Sequence, residues 1–243
     1  MRYALEAVGL GKRYGKTWAL RECTVQIPAG CVAGLIGPGG AGKTTLMNLA
    51  MGLTKPSTGS VRIFGYSSRH VPDQMLARVG FVAQNRPPDK LPKGQQIQIA
   101  LAMALARQPE LLLLDEPIAH LDFHAQEEFQ QTLRDIAAER RLTVLLSSRI
   151  IADLKRICNY LVILSDGRVQ VTSPITQLLR AHKLLVVPQR QMDDIAKNYT
   201  VLQSRSEGEQ SIVLVRTDHF NFDPAWKVHN ATLEEIIQAY LHQ

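Results

Sequence analysis

The sequence predicts an α/β protein with a largely parallel core sheet, followed by a small α+β appendage. Three observations carry this expectation. Through the first 170 residues, short apolar runs alternate with helical patterns, as in sheets whose parallel strands are joined by helical crossovers. A glycine-rich run, Gly37 to Gly42, falls between an apolar stretch and a helical one. After about residue 175 the texture changes to short strand-like runs and a terminal amphipathic pattern. The expected division is 1–175 for the first domain and 176–243 for the accessory one.

Taken in order, Leu20–Ile27 reads as a strand, and Cys31–Ile36 as a buried strand ending at Gly37. Lys43–Met51 is helical and is closed by Gly52 and the turn-rich Lys55-Pro56-Ser57-Thr58-Gly59. Val61–Phe64 and Val79–Ala83 are strand candidates. Gln95–Arg107 has the pattern of a helix apolar on most sides, which predicts a buried helix. Four successive leucines, Leu111–Leu114, are too short for a helix and fit a fully buried strand. Asp122 is a suitable N-cap for a helix reaching Arg140. Thr143–Leu146 and Leu161–Leu164 read as further buried strands, and Asp166-Gly167 as a tight turn into Arg168–Val171. In the appendage, Leu184–Val187, Thr200–Gln203 and Ser211–Val215 read as strands and Leu233–Leu241 as a helix.

The bulk numbers narrow the function classes. A chain of 243 residues with 45% hydrophobic content can bury a sizeable core, yet no apolar run approaches the roughly 18–20 residues of a membrane span. The start, Met1-Arg2-Tyr3-Ala4-Leu5-Glu6, has no basic region followed by an apolar stretch, so a cytoplasmic location is expected. Cys23, Cys31 and Cys158 lack any metal-ligand spacing and are expected to be reduced core thiols. The net charge of +6 is dispersed rather than gathered into a polybasic block, which disfavours nucleic acid as a partner.

The segment Gly37-Pro38-Gly39-Gly40-Ala41-Gly42-Lys43-Thr44-Thr45 fits G-x-x-x-x-G-K-[ST] and lies where that pattern needs to lie, between a strand and a helix. Its glycines let the backbone curl so that successive N–H groups face phosphate oxygens, and the following helix adds the positive end of its dipole. Lys43 is expected on the β- and γ-phosphates of ATP, and the Thr44 hydroxyl on Mg²⁺. The leucine strand then presents Asp115 to hold the magnesium ion through water and Glu116 to polarise an attacking water.

With both segments in place, the sequence resembles the ABC ATPase family of P-loop NTPases over nearly its whole length, and specifically the subunits of ABC-2-type exporters. That resemblance implies N-terminal antiparallel strands beside the parallel sheet. It implies that Tyr14 stacks on adenine, that Gln84 contacts Mg²⁺ and relays nucleotide state, and that Ala119-His120-Leu121-Asp122 forms the loop after the carboxylates. It also implies a dimer of ATP-binding subunits, as a homodimer or heterodimer, acting with a separate integral membrane permease on the cytoplasmic face.

Three departures from the family pattern stand out. The signature segment, L-S-G-G-Q in the family, reads Leu91-Pro92-Lys93-Gly94-Gln95, and Pro92 removes both a hydroxyl and a backbone donor. Leu91, Gly94 and Gln95 still match that segment, and the resemblance implies that Gly94 and Gln95 contact nucleotide. Arg149 stands where the family has a histidine. It is either a surface residue or a fixed cation for a γ-phosphate, since an arginine does not exchange a proton near neutral pH. Only residues 85–90 separate Gln84 from Leu91, where the family carries a helical subdomain. The expected function is an ATP-binding subunit that drives export, with Glu116, Gln84 and Arg149 as catalytic candidates. The alternative is a silent or regulatory nucleotide-binding subunit.

Overall fold

A computed structural model describes residues 3–84, 93–119, 121–218 and 222–242, and the chain divides into two compact units, residues 1–172 and 173–243. The first unit opens with a long hairpin, β1 (Tyr3–Tyr14) and β2 (Thr17–Pro28), in antiparallel register with Tyr14 opposite Thr17. Next come β3 (Val32–Ile36), α1 (Lys43–Ala50), β4 (Thr58–Ile63), β5 (Tyr66–Ser67), α2 (Asp73–Leu76) and β6 (Val79–Val82). They are followed by α3 (Lys93–Leu105), β7 (Leu111–Leu114), α4 (Phe123–Arg140), β8 (Thr143–Ser148), α5 (Ile151–Lys155), β9 (Tyr160–Ser165) and β10 (Arg168–Pro174). Two sheets result: a four-stranded one in the order β2-β1-β4-β5 and a six-stranded one in the order β10-β9-β3-β8-β7-β6.

The second sheet positions the chemistry. Strands β9, β3, β8, β7 and β6 are paired in parallel, so their carboxyl ends gather along one edge. Every residue of β3, β7, β8 and β9 is buried, which explains why these strands read as continuous apolar runs rather than alternating ones. Leu35, Leu111, Leu113, Leu145, Val162 and Leu164 pack with the hairpin residues Leu5, Leu10 and Leu20 and with Leu46 and Leu49 of α1 in one core. Local chemistry sets the ends of the elements. The Asp122 carboxylate accepts from the Ala125 N–H at 2.9 Å to cap α4. Asp166 and Gly167 take φ of +48° and +71°, the left-handed pair that a two-residue turn into β10 requires.

One expectation about packing is overturned. The helix predicted over Gln95–Arg107 forms as α3 but is not buried all round: Ile99 is 41% and Met103 71% exposed. It packs chiefly against β6, where a β-carbon on Gly80 would stand 3.4 Å from Ala104 Cβ. An all-round apolar pattern signals burial only if the fold supplies a second cover, and α3 is covered along one side. The expectations for residues 85–90, Leu91, Pro92 and His120, for the Lys93 side chain and for the contacts of Gly94 lie outside the described residues.

The second unit contains α6 (Ile175–Ala181), β11 (His182–Pro188), a 3-10 turn (Gln189–Gln191) and α7 (Met192–Asn198). It continues with β12 (Thr200–Glu207), β13 (Gln210–Arg216), β14 (Lys227–Asn230) and α8 (Leu233–Leu241). Its antiparallel sheet has the order β12-β13-β11-β14. Leu185, Val187, Val213 and Val215 form a small core with Ile195, against which Tyr199, Phe222 and Trp226 pack. Thr232 and Glu235 start α8 with a reciprocal capping box. Behind that helix His182 is buried. Its Nδ1–H donates to the Leu178 carbonyl at 2.7 Å, so Nε2 accepts from the Tyr240 hydroxyl at 3.0 Å. Burial pushes its pKa below the ordinary 6.5; the Leu178 carbonyl opposes this and Arg216 adds to it.

Two predictions follow from this packing. Leu112→Ala should cost about 2–5 kcal/mol in urea unfolding, as a buried leucine truncated in a close-packed sheet, while Met103→Ser should stay within about 0.5 kcal/mol. Because the folded His182 has the depressed pKa, the unfolded chain binds more protons once the pH drops below 6.5. Stability of the second unit, followed by Trp226 fluorescence in a Trp18→Phe background, should therefore be constant above that value and fall as the pH is lowered through it. His182→Gln should flatten that slope.

Candidate functional site

The site grows from the carboxyl edge of the parallel sheet. Strand β3 hands the chain to the glycine-rich loop, which turns back into α1 through Gly42 at φ +104°. A β-carbon on Gly37 would fall 2.1 Å from the Leu164 carbonyl oxygen, and one on Gly42 2.4 Å from that of Ala19, so no larger residue fits at either position without backbone movement. By contrast, Gly40 at φ +82° faces open space, and it lines a cavity of about 230 Å³ with Gly39, Ala41–Thr45, Ala19, Gln84, Glu116 and Arg149. The first turn of α1 has no acidic residue, which leaves the positive end of its dipole unopposed.

Lys43 is buried and its ammonium donates to the Gly37 and Pro38 carbonyls at 2.7 and 3.1 Å. It also stands 3.4 Å from Glu116 Oε1. Burial pushes the lysine below its ordinary pKa, and Glu116 pulls it back. Glu116 follows β7 in left-handed backbone geometry, φ +48°, a strained conformation for a residue with a β-carbon. Its carboxylate is enclosed: Arg149 Nε donates to Oε1 at 2.7 Å and Gln84 Nε2 to Oε2 at 3.1 Å. Both oxygens are therefore taken by donors carried on three separate loops.

Asp115 is 1% exposed. Its Oδ1 accepts from the Ser147 hydroxyl at 2.7 Å, and that hydroxyl oxygen accepts from the Glu116 N–H at 2.8 Å. The second carboxylate oxygen, Oδ2, is buried with no hydrogen-bond partner among the described residues. A bare buried carboxylate oxygen costs about 1–3 kcal/mol or more if nothing meets it, so this atom suits a water held by a cation. No cluster of three His, Cys, Asp or Glu side chains able to hold a metal occurs among the described residues. The Asp115 carboxylate and the Thr44 hydroxyl are oxygen donors of the kind magnesium takes, along with phosphate oxygens and water.

Of the residues expected from the sequence, the structure brings Gly39 to Thr45, Gln84 and Glu116 into one cavity with Arg149, while Gly37 and Pro38 bond to Lys43 through their carbonyls and Asp115 bonds to Ser147. Tyr14 at the end of β1 is half exposed, with Lys12 Nζ 4.9 Å from its ring centre. Gln95 is exposed in the first turn of α3, and neither it nor Tyr14 lines the cavity. Sequence reasoning missed Ser147. A serine that closes an apolar strand looks like a turn residue, and only the sheet order, with Ser147 beside Leu35 of β3, sets it between the Asp115 carboxylate and the Glu116 backbone N–H. Ser148 was missed for the same reason; it donates to the buried Asp153 at 2.8 Å and accepts from the Ile150 N–H.

Comparison with known proteins agrees with this geometry. Residues 20–89 match the family model described as ABC transporter. Residues 82–148, which run from β6 through β8, match one described as an AAA domain of putative AbiEii toxins of type IV toxin–antitoxin systems. The sulfate/thiosulfate import ATP-binding protein CysA of Mycobacterium bovis is 31% identical over 72% of this chain and 62% of its own length. The Fe(3+) ions import ATP-binding protein FbpC 2 of Rhodococcus jostii is 30% identical over 72% of this chain and 63% of its own. The chain thus spans about three fifths of the length of these curated relatives. A dimeric, post-hydrolysis structure of the ATP-binding cassette MJ0796 bound to ADP and Pi superposes with a TM-score of 0.63 at 24% identity, covering 70% of this chain and 98% of that one. No helix among the described residues is long and apolar enough to cross a membrane. The chain has the ATP-binding cassette fold of the P-loop NTPases, and over residues 20–89 it matches the ABC transporter family.

Proposed function

We propose that this chain is the ATP-binding and ATP-hydrolysing subunit of a membrane transporter, working as a dimer on the cytoplasmic face with a separate permease. The observation that carries the proposal is the meeting of Lys43, Glu116 and the open backbone of Gly40 around one cavity, with Asp115 Oδ2 unpaired beside it. The loop N–H groups and Lys43 bind the phosphates, and Tyr14 offers an exposed ring for the base. Asp115 and Thr44 would hold a magnesium ion, which when bound neutralises phosphate charge. Glu116 orients a water and takes a proton from it. The water oxygen bonds to the γ-phosphorus as the β–γ bridging oxygen leaves with ADP.

The exporter subgroup that the sequence resembles finds no support among the two curated relatives above, whose names denote import proteins. The proposal is therefore of an energising subunit, and the permease sets the direction. A second reading, a silent nucleotide-binding subunit, is favoured by one observation: both oxygens of Glu116 are already occupied by donors.

Nucleotide binding and Mg·ATP turnover by the full chain separate the two. Lys43→Ala should weaken ATP binding at least about tenfold, the loss of one charge-assisted phosphate contact. Glu116→Gln should retain binding and abolish turnover. Binding without turnover in the wild-type chain would establish the silent subunit, and no binding at all would overturn both readings.

A further inference from the structure

We propose that the second unit binds a free α-amino acid with an aliphatic side chain, in a cavity on the sheet face opposite its small core. The inference stands apart from the nucleotide cavity and does not depend on how that cavity is read. Its basis is the register of three strands. Leu184 of β11 lies opposite Leu214 of β13, and Leu214 opposite Gln203 of β12. In the next row of the same face, Ile212 of β13 lies opposite Arg205 of β12. Alternation sends Leu185, Val187, Val213 and Val215 to the other face, where they form the core with Ile195.

These five side chains, with Glu235 from the first turn of α8, line a cavity of about 230 Å³. That is below the roughly 300–1,000 Å³ of sites for drug-sized ligands, so the occupant is a small molecule. Leu214 is buried, while Leu184 and Ile212 are half-buried, which leaves apolar surface for a ligand to cover. Two opposite charges stand on the same lining. Arg205 makes its ion pair along its own strand, with Glu207. Glu235 is set in place by its own helix end: its Oε2 accepts from the Thr232 N–H at 2.7 Å and from the Thr232 hydroxyl at 2.8 Å. Each charge is thus fixed by its own element, one on β12 and one on α8. A neutral apolar molecule would take water from both without replacing it, and a singly charged one would leave one unmatched. A zwitterion answers both. Its carboxylate meets the planar fork of Arg205 and the Gln203 amide, its ammonium meets Glu235, and its side chain covers Leu184, Ile212 and Leu214.

The site is tested by calorimetric titration of the full chain with L-leucine and with analogues that each lack one part. Isocaproate lacks the ammonium, isoamylamine lacks the carboxylate, and glycine lacks the side chain. L-Leucine should bind saturably, and each analogue at least about tenfold more weakly, the size of one charge-assisted contact or of a few buried methylenes. Glu235→Gln keeps the capping box, because glutamine serves at that helix position, so it removes the charge alone. It should weaken L-leucine about tenfold and leave isocaproate unchanged. Arg205→Gln should weaken L-leucine to a similar degree and leave isoamylamine unchanged. No saturable binding of L-leucine would overturn the site. Equal binding of L-leucine and isocaproate would overturn it too, as would L-leucine binding that neither substitution alters.

Discussion

The register of four parallel strands is the constraint on which the site depends. Ile36 of β3 lies opposite Ser148 of β8, Leu114 of β7 opposite Leu146, and Val82 of β6 opposite Leu114. Four loops therefore leave the sheet at nearly one level, and they deliver Lys43, Arg149, Asp115 with Glu116, and Gln84 to a common edge. A slip of one residue in any pair would turn that strand's side chains to the opposite face and withdraw its loop by more than 3 Å. The leucines and valines that hold the register are buried, so the same hydrophobic contacts that stabilise the sheet also align the charged groups beyond it.

What the sequence disclosed and what it withheld divide along physical lines. Local chemistry was legible. The glycine run, the four leucines, the Asp122 cap, the Asp166-Gly167 turn and the helix ending at Leu241 each owe their form to neighbours in the chain. Less visible was the strand Tyr3–Tyr14, which contains Gly9 and Gly11 and makes irregular register steps against its partner; glycines within a strand blur its pattern. The exposure of Ile99 and Met103 was illegible for another reason, since a periodic pattern records the apolar faces of a helix but not whether a neighbour exists to cover them. Ser147 and the pairing of Arg149 with Glu116 join residues more than 30 positions apart in the sequence. No spacing rule reaches that far without the sheet order.

The electrostatics of the site are lopsided in a useful way. A lysine, an arginine and an uncapped helix N-terminus converge on one carboxylate, while a second carboxylate next to it is satisfied on one oxygen only. Positive groups thus outnumber the anion they surround, and the free carboxylate oxygen asks for a cation. A ligand that brings phosphate oxygens and a divalent cation together answers both demands. Either one alone leaves half of the imbalance in place, since an anion without its metal would face Asp115 and a metal without its anion would face Lys43 and Arg149.

That imbalance also sets how the unliganded chain holds itself together. The left-handed backbone at Glu116 costs on the order of 1–2 kcal/mol for a residue with a β-carbon, and it is sustained by the Ser147 hydroxyl and by the three donors on the carboxylate. The same donors that fix the glutamate are the ones a phosphate would compete for, so stability of the resting site and readiness for chemistry draw on one set of contacts. Of the two sides of the Arg149–Glu116 contact, the exposed arginine rather than the buried glutamate is the one that can yield, because a solvent-exposed ion pair is screened and holds its partner weakly.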